Sequence, residues 1–303
     1  MTTRESRCHF NHLQYTQITY RAISGVGRLL ELYISTITHF QNGLAYVADY
    51  TYNDNDLAMP ILSEKFSSRI GDGTGYHEEA FHNIILLLAH TCSEGSVADV
   101  GCGMGRTTQV IAPIVKEVVS LEPDTTRWEY TRELVHKHSN ASVLNETTQD
   151  YILRNPGKHF DLVILGMVVQ HLPTQVTTAI MNDILTLTKR GAIAVVSTTH
   201  ALEKTRCFTY QHVANGQPRP KTSEDEFNRY AAATASQDKG LPVRRFSRAE
   251  FESIVPPDFE IISWGQYSYC RPEHLDYFAW LDGVAPDELA DVGNSQYLVL
   301  KRN

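Results

Sequence analysis

The chain of 303 residues is 42% hydrophobic and 20% charged, an ordinary globular composition that can bury a substantial core as one elaborated α/β domain or a domain with a cap. Its net charge of −8, with a pI near 5.9, argues against a dedicated nucleic-acid binder, which usually shows a basic face.

In chain order, the opening MTTRESRCHFNH has no apolar segment of the signal-peptide kind. Apolar residues near three-to-four spacing from Ile18 to Ile37 predict a helix. The stretch Gln41 to Gly75 is rich in Asn, Asp, Gly and Tyr and reads as loops. A helix is expected over YHEEAFHNIILLLAHTC, Tyr76 to Cys92, with acids in its first turn. Its apolar run Ile84 to Ala89 is too short to span a bilayer, and no membrane partner is expected.

Strands and helices then alternate. Strands are expected at Val97–Val100, Glu117–Leu121, Ala141–Asn145, Phe160–Leu165 and Ala192–Thr198, with helices near Thr107–Val115, Thr126–His138 and Gln175–Lys189. This rhythm predicts a Rossmann-like, doubly wound, mostly parallel sheet. After His200 the rhythm breaks, and the polar stretch Ala201 to Arg245 reads as an insertion. A short helix at Phe246–Val255 follows, then strands at Phe259–Tyr267 and Gln296–Leu300, the last an antiparallel closing strand. Between those two strands RPEHLDYFAWLDG predicts one more helix. The expected division is thus an N-terminal helical or lid segment, 1–75, and a core, 76–303, with an acceptor-side insertion at 201–245.

Cys8, Cys92, Cys102, Cys207 and Cys270 are scattered with no CxxC pair. That usage suits reduced thiols in the cytoplasm rather than a disulfide framework, and no metal is expected.

The chemistry concentrates in VADVGCGMGR, Val97 to Arg106. A dinucleotide fingerprint needs GxGxxG, with its third glycine packing helix against strand. Here Arg106 stands at that third place, and Asp99 precedes the first glycine. A carboxylate aimed at a pyrophosphate would be repelled, so the acid favours a cofactor with a cation at that end. At the end of the second strand Glu122 is placed to accept from both hydroxyls of a ribose diol. It also has the plainer reading of a solvated strand-end acid.

DVGCGMG followed by LEPD, TQDY and FDLVILGMVVQHL resembles the class I S-adenosylmethionine-dependent methyltransferases. The likeness covers roughly Gly75 to His200 well and the closing segments loosely. It implies S-adenosylmethionine as cofactor. By that resemblance Gly101, Cys102, Gly103 and Gly105 form the turn on which its methionyl part lies, with Asp99 near the amino group and Glu122 on the ribose. Pro123 and Asp124 would lie beside the adenine, Gln149 and Asp150 near its amino group, and Leu165 and Gly166 by the reactive methyl. For Gln149 and Asp150 ordinary loop capping is the competing reading. Cys102 suits its place by small size, since no base is evident nearby.

His171 and His200 are the candidate catalytic bases, each just past a strand end, with helix capping or a carbonyl bond as the alternative for His171. Tyr76, His77, Tyr210 and Tyr230 are the candidate acceptor-binding residues, with capping of the first helix the alternative for Tyr76 and His77 and packing the alternative for Tyr210 and Tyr230. The expected reaction is methyl transfer to an O, N or S atom of a small molecule in a covered pocket. The rivals are a non-catalytic cofactor-binding regulatory or scaffold protein, a methyltransferase acting on protein or RNA, and an NAD-dependent oxidoreductase.

Overall fold

The computed structural model describes residues 76–201, 208–210, 221–231, 242–267, 276, 279–280, 285–287 and 295–303. The segment 1–75, with its expected helix from Ile18 to Ile37, lies outside the described residues. Of RPEHLDYFAWLDG only Asp276, Ala279 and Trp280 are described, all helical.

Buried apolar strands and amphipathic helices alternate through the core. They are α1 (Tyr76–Thr91), β1 (Ser96–Val100), α2 (Arg106–Ile111), β2 (Glu117–Leu121), α3 (Thr125–Val135), β3 (Ala141–Leu144), α4 (Thr148–Arg154) and β4 (Phe160–Gly166). A 3-10 turn at Val169–His171 leads to α5 (Thr174–Leu187) and β5 (Thr188–Thr199). The remainder comprises β6 (Phe208–Tyr210), β7 (Lys221–Thr222), α6 (Glu224–Ala231), β8 (Pro242–Arg244), α7 (Arg248–Ser253), β9 (Phe259–Tyr267) and β10 (Ser295–Arg302).

Seven strands form one sheet in the order β3-β2-β1-β4-β5-β10-β9. The first five are parallel, and β10 runs antiparallel to both β5 and β9. This is the Rossmann-like sheet with an antiparallel closing strand. Parallel strands must be covered on both faces. One face packs Phe81 and Ile85 of α1 and Val110 and Ile111 of α2 onto Val97, Ile164, Val195 and Val299. The other packs Met181 and Ile184 of α5 and Phe251 of α7 onto Leu165, Val196 and Leu298. Chain order leaves β1 toward β2 on one side and later toward β4 on the other. The carboxyl ends of β1 and β4 therefore flank the switch point where such sheets bind ligands.

Two expectations are refined. TQDYILR, to which the sequence pattern assigns no element, forms α4, capped by Thr147, whose hydroxyl accepts from Asp150 N. Its single buried aromatic, Tyr151, anchors it to the core. The described part of the 201–245 insertion is also ordered, as a small antiparallel sheet β7-β6-β8 carrying α6. Phe208 and Phe227 form its centre, rings 5.0 Å apart. Strands of two or three residues are too short for an alternating pattern to show in sequence. This cap is tied to the core where Thr199 Oγ1 donates to the Arg244 carbonyl at 2.6 Å. Arg244 also lies over Phe246, 4.3 Å from the ring centre, and pairs with Glu250 at 3.3 Å.

Candidate active site

At the end of β1 the chain turns sharply, and Gly101 N and Cys102 N both donate to the Leu121 carbonyl, at 2.8 and 3.1 Å. Gly101 and Gly103 have φ of +64° and +55°, left-handed values that favour glycine. The two serve different ends. A Cβ on Gly101 would meet Val168 Cγ2 at 2.6 Å, whereas one on Gly103 would meet nothing within 4 Å among the described residues. Gly101 is thus required by packing, and Gly103 presents backbone that no described side chain covers. Gly105 precedes Arg106, which is the first residue of α2.

Two carboxylates are buried behind this turn. Asp99, only 3% exposed, accepts from Thr108 Oγ1 at 2.7 Å. Ser120 in turn donates to Thr108 Oγ1 at 2.8 Å, since the threonine proton is already given away. Burial lifts the Asp99 carboxyl from its usual range to about 6, with the Thr108 hydrogen bond opposing and the Glu122 charge adding to the rise. Glu122 accepts from Gly103 N at 2.8 Å through Oε2 and from Asp124 N at 3.0 Å through Oε1. Burial raises its pKa too, against those two backbone bonds. Each Glu122 oxygen retains a second lone-pair site, so the group still has capacity for a diol. Burial and the two carboxylates push the Cys102 thiol well above its ordinary range. It stays a small protonated residue rather than a nucleophile.

Asp124 is exposed and caps α3, its Oδ1 accepting from Arg127 N at 2.9 Å. The Pro123 carbonyl accepts from Asn145 Nδ2 at 3.0 Å, and the same amide donates to the Glu122 carbonyl at 3.0 Å. The loop after β3 is thereby strapped to the loop after β2. Gln149 and Asp150 are exposed in the first turn of α4, where Thr147 Oγ1 donates to Asp150 Oδ2 at 2.7 Å. Sequence reasoning missed Glu146 in this loop. It is buried, pairs with Arg154 through Oε2, and its Oε1 has no hydrogen-bond partner among the described residues. A signal was present: Leu144 is the register partner of Leu121, so an acid stands just past the end of β3 as Glu122 does past β2.

At the end of β4, Leu165 is fully buried, and a Cβ on Gly166 would meet Phe81 Cε1 at 2.9 Å. Helix α1 therefore runs across the carboxyl end of β4. Tyr76 and His77 begin that helix, Tyr210 ends β6 and Tyr230 lies in α6. The side chains of these four lie outside the described residues.

Next comes Met167, with φ of +55°, the single non-glycine residue of positive φ among those described. Its N–H donates to the Ser197 carbonyl and hydroxyl, each at 3.1 Å. Its carbonyl accepts from Gln170 Nε2 at 2.7 Å. No sequence signal marks Met167, since the strain is imposed by its neighbours.

His171 contacts the Pro242 carbonyl through Nδ1 at 2.7 Å and Gln170 Nε2 through its own Nε2 at 3.2 Å. His200 is buried at the end of β5, paired with Phe246 in an isolated bridge and edge-on to Trp264, 6.0 Å between ring centres. Both histidines stand at the same edge as the glycine turn. Among the described residues no group of three or more His, Cys, Asp or Glu is placed to hold a metal ion. None of the described helices is long and apolar enough to cross a membrane.

Comparison with known proteins bears on the fold that carries these residues. Residues 97–191 match the family model of a methyltransferase domain. A 102-residue segment, 33% of this chain, is 34% identical to the ribosomal RNA small subunit methyltransferase A of Caldanaerobacter subterraneus subsp. tengcongensis, and spans only 38% of that protein's length. Among solved structures, an S-adenosylmethionine dependent methyltransferase from Mesorhizobium loti superposes with a TM-score of 0.52 at 14% identity, covering 75% of this chain and 99% of that one. The [4+2]-cyclase SpnF superposes with a TM-score of 0.52 at 15% identity, covering 91% and 95%. Likeness at these identities is likeness of fold, and a cyclase among the neighbours means that the reaction must be argued from the site itself. Residues 97–191 are thus similar to a methyltransferase domain, and the seven-stranded sheet has the fold of an S-adenosylmethionine dependent methyltransferase.

Proposed function

We propose that the protein transfers a methyl group from S-adenosylmethionine to a small-molecule acceptor held beneath the cap. The observation that carries this reading is the bare backbone at Gly103 flanked by the buried carboxylates Asp99 and Glu122. Two desolvated acids beside an open glycine turn suit a cationic, ribose-bearing ligand and oppose a pyrophosphate. The donor set therefore fits the cofactor.

In this reading Gly101, Cys102, Gly103 and Gly105 form the turn that receives the methionyl part, with Asp99 serving its ammonium group. Glu122 takes the ribose hydroxyls on its remaining lone pairs. Pro123 and Asp124 flank the adenine. Glu146, whose buried Oε1 has no partner among the described residues, accepts from the adenine amino group beside Gln149 and Asp150. Leu165 and Gly166 border the methyl. When bound, the cofactor supplies an activated methyl on a sulfonium, and with it most of the chemical driving force. The chain contributes alignment and exclusion of water.

The 1–75 segment and the 201–245 cap are the natural acceptor elements, with Tyr76, His77, Tyr210 and Tyr230 as contacts. Where the acceptor has a proton to lose, removal falls to His200, which ends β5 beside β4. The net charge of −8 favours a small acceptor over a polyanion. A cytoplasmic location accords with the scattered cysteines.

The test is transfer of labelled methyl from S-adenosylmethionine by the full chain to separated cell fractions. Label in the low-mass fraction is expected. Label confined to RNA or protein would replace the acceptor class. Binding of S-adenosylhomocysteine with no labelled product in any fraction would favour the regulatory or scaffold reading.

A further inference from the structure

We infer that Gln170 and His171 are positioning residues that couple the strained turn after β4 to the cap, His171 acting as a hydrogen-bond donor to β8 rather than as a proton acceptor. The inference rests on the proposed function only for where methyl transfer takes place.

Gln170 is 2% exposed, and its amide orientation follows from its partners. Thr198 Oγ1 donates to its Oε1 at 3.2 Å, and its Nε2 donates to the Met167 carbonyl at 2.7 Å. A carbonyl can only accept, so the amide cannot be flipped. The second Nε2 proton points at His171 Nε2, 3.2 Å away, which must therefore accept. The other ring nitrogen faces the Pro242 carbonyl at 2.7 Å and must donate. The imidazole is thus held as the neutral Nδ1–H tautomer by partners on both sides. The lone pair that a general base would use is already filled by Gln170.

One hydrogen-bonded chain therefore runs from Thr198 in β5 through Gln170 and His171 to Pro242 in β8. It branches at the carbonyl of Met167, the residue held at φ +55° directly after Gly166. A backbone conformation of this kind is strained and persists only where its surroundings over-determine it. Gln170 supplies one of those restraints and Ser197 the others. Docking of the cap and the shape of the turn that borders Gly166 are coupled through the same two side chains.

The test uses full-length protein labelled with 15N-histidine, with His171 assigned by difference from His171→Asn. Long-range nitrogen–proton spectra at neutral pH should show His171 as the Nδ1–H tautomer in wild type and as a tautomer mixture in Gln170→Met. Amide exchange at Val243 and Arg244 should rise about tenfold in Gln170→Met and His171→Ala. His171→Asn, whose amide can replace the Nδ1 donor, should restore protection. Exchange in β1 and β2 serves as the folding control, and none of these readouts needs turnover. A wild-type Nε2–H tautomer, or cap exchange unchanged in both Gln170→Met and His171→Ala, would overturn the inference. Absence of methyl transfer with these results intact would instead count against the proposed function.

Discussion

Glu122 accepts the backbone N–H of Gly103 at 2.8 Å across 19 residues of chain. The acid that ends β2 and the glycine turn that ends β1 therefore form one structural unit, with Asp124 N on the second oxygen. Removing the carboxylate should disturb the turn as well as the proposed ribose contact.

Glu122→Ala is expected to lower stability by about 2 kcal/mol, the scale of losing hydrogen bonds to a charged acceptor. It should also weaken S-adenosylhomocysteine binding tenfold or more. Glu122→Gln keeps a carbonyl acceptor for one of the two N–H groups and should recover part of the stability. Urea denaturation and calorimetric titration together separate the two effects.

Asp99 and His82 give opposite pH dependences. Burial raises Asp99 from 3.8 to about 6, so between those values the native state binds the proton that the unfolded chain releases. Its contribution to stability is therefore lost as pH rises from about 4 to about 6, by about 3 kcal/mol. Burial lowers His82 from 6.5 to about 4, so the unfolded chain takes up the proton first. Its contribution is lost as pH falls from 6.5 toward 4, again by about 3 kcal/mol. Urea denaturation at pH 4, 5 and 7 should show Asp99→Asn gaining on wild type as pH rises and His82→Leu gaining as it falls. Parallel pH profiles for either variant and wild type would refute that assignment.

The cap has its own small core. Phe227 is fully buried against Phe208, so Phe227→Ala should cost about 3–5 kcal/mol locally. Hydrogen exchange should then rise in 208–210 and 242–244 while β1, β2 and β4 keep their protection. A uniform loss of protection would mean that cap and sheet unfold together.

Glu146 offers a sharper test of adenine recognition. S-Inosylhomocysteine carries an oxygen where S-adenosylhomocysteine carries the amino group. Wild type should therefore prefer the adenine form strongly, and Glu146→Gln, whose amide can donate, should narrow that preference tenfold or more. An unchanged ratio in competitive titration would remove Glu146 from the site.

The parallel sheet was legible in the sequence because fully buried strands such as Phe160–Leu165 are continuous apolar runs bounded by turn residues. The glycine turn and Glu122 were legible because each follows such a strand directly. Glu146 went unread because it sits among polar residues that resemble an ordinary loop, and only the structure shows its burial. Met167 and Gln170 carried no signal at all. One is strained by partners distant in sequence, and the other matters through the direction of a single amide. The cap's strands are too short for periodicity to reveal them.

The central claim is that the cofactor lies on the bare backbone of Gly103. Calorimetric titration of wild type, Gly103→Ala and Gly101→Ala with S-adenosylhomocysteine and with NAD tests it most directly. Gly103→Ala adds a methyl that meets no described residue, at φ +55°, a strain of about 1–2 kcal/mol, so it should fold with Tm lowered by only a few degrees. Gly101→Ala meets Val168 and should lose distinctly more stability. The account predicts S-adenosylhomocysteine binding to wild type, at least tenfold weaker binding to folded Gly103→Ala, and no NAD binding. Tight NAD binding, or S-adenosylhomocysteine binding unaffected by Gly103→Ala, would contradict it.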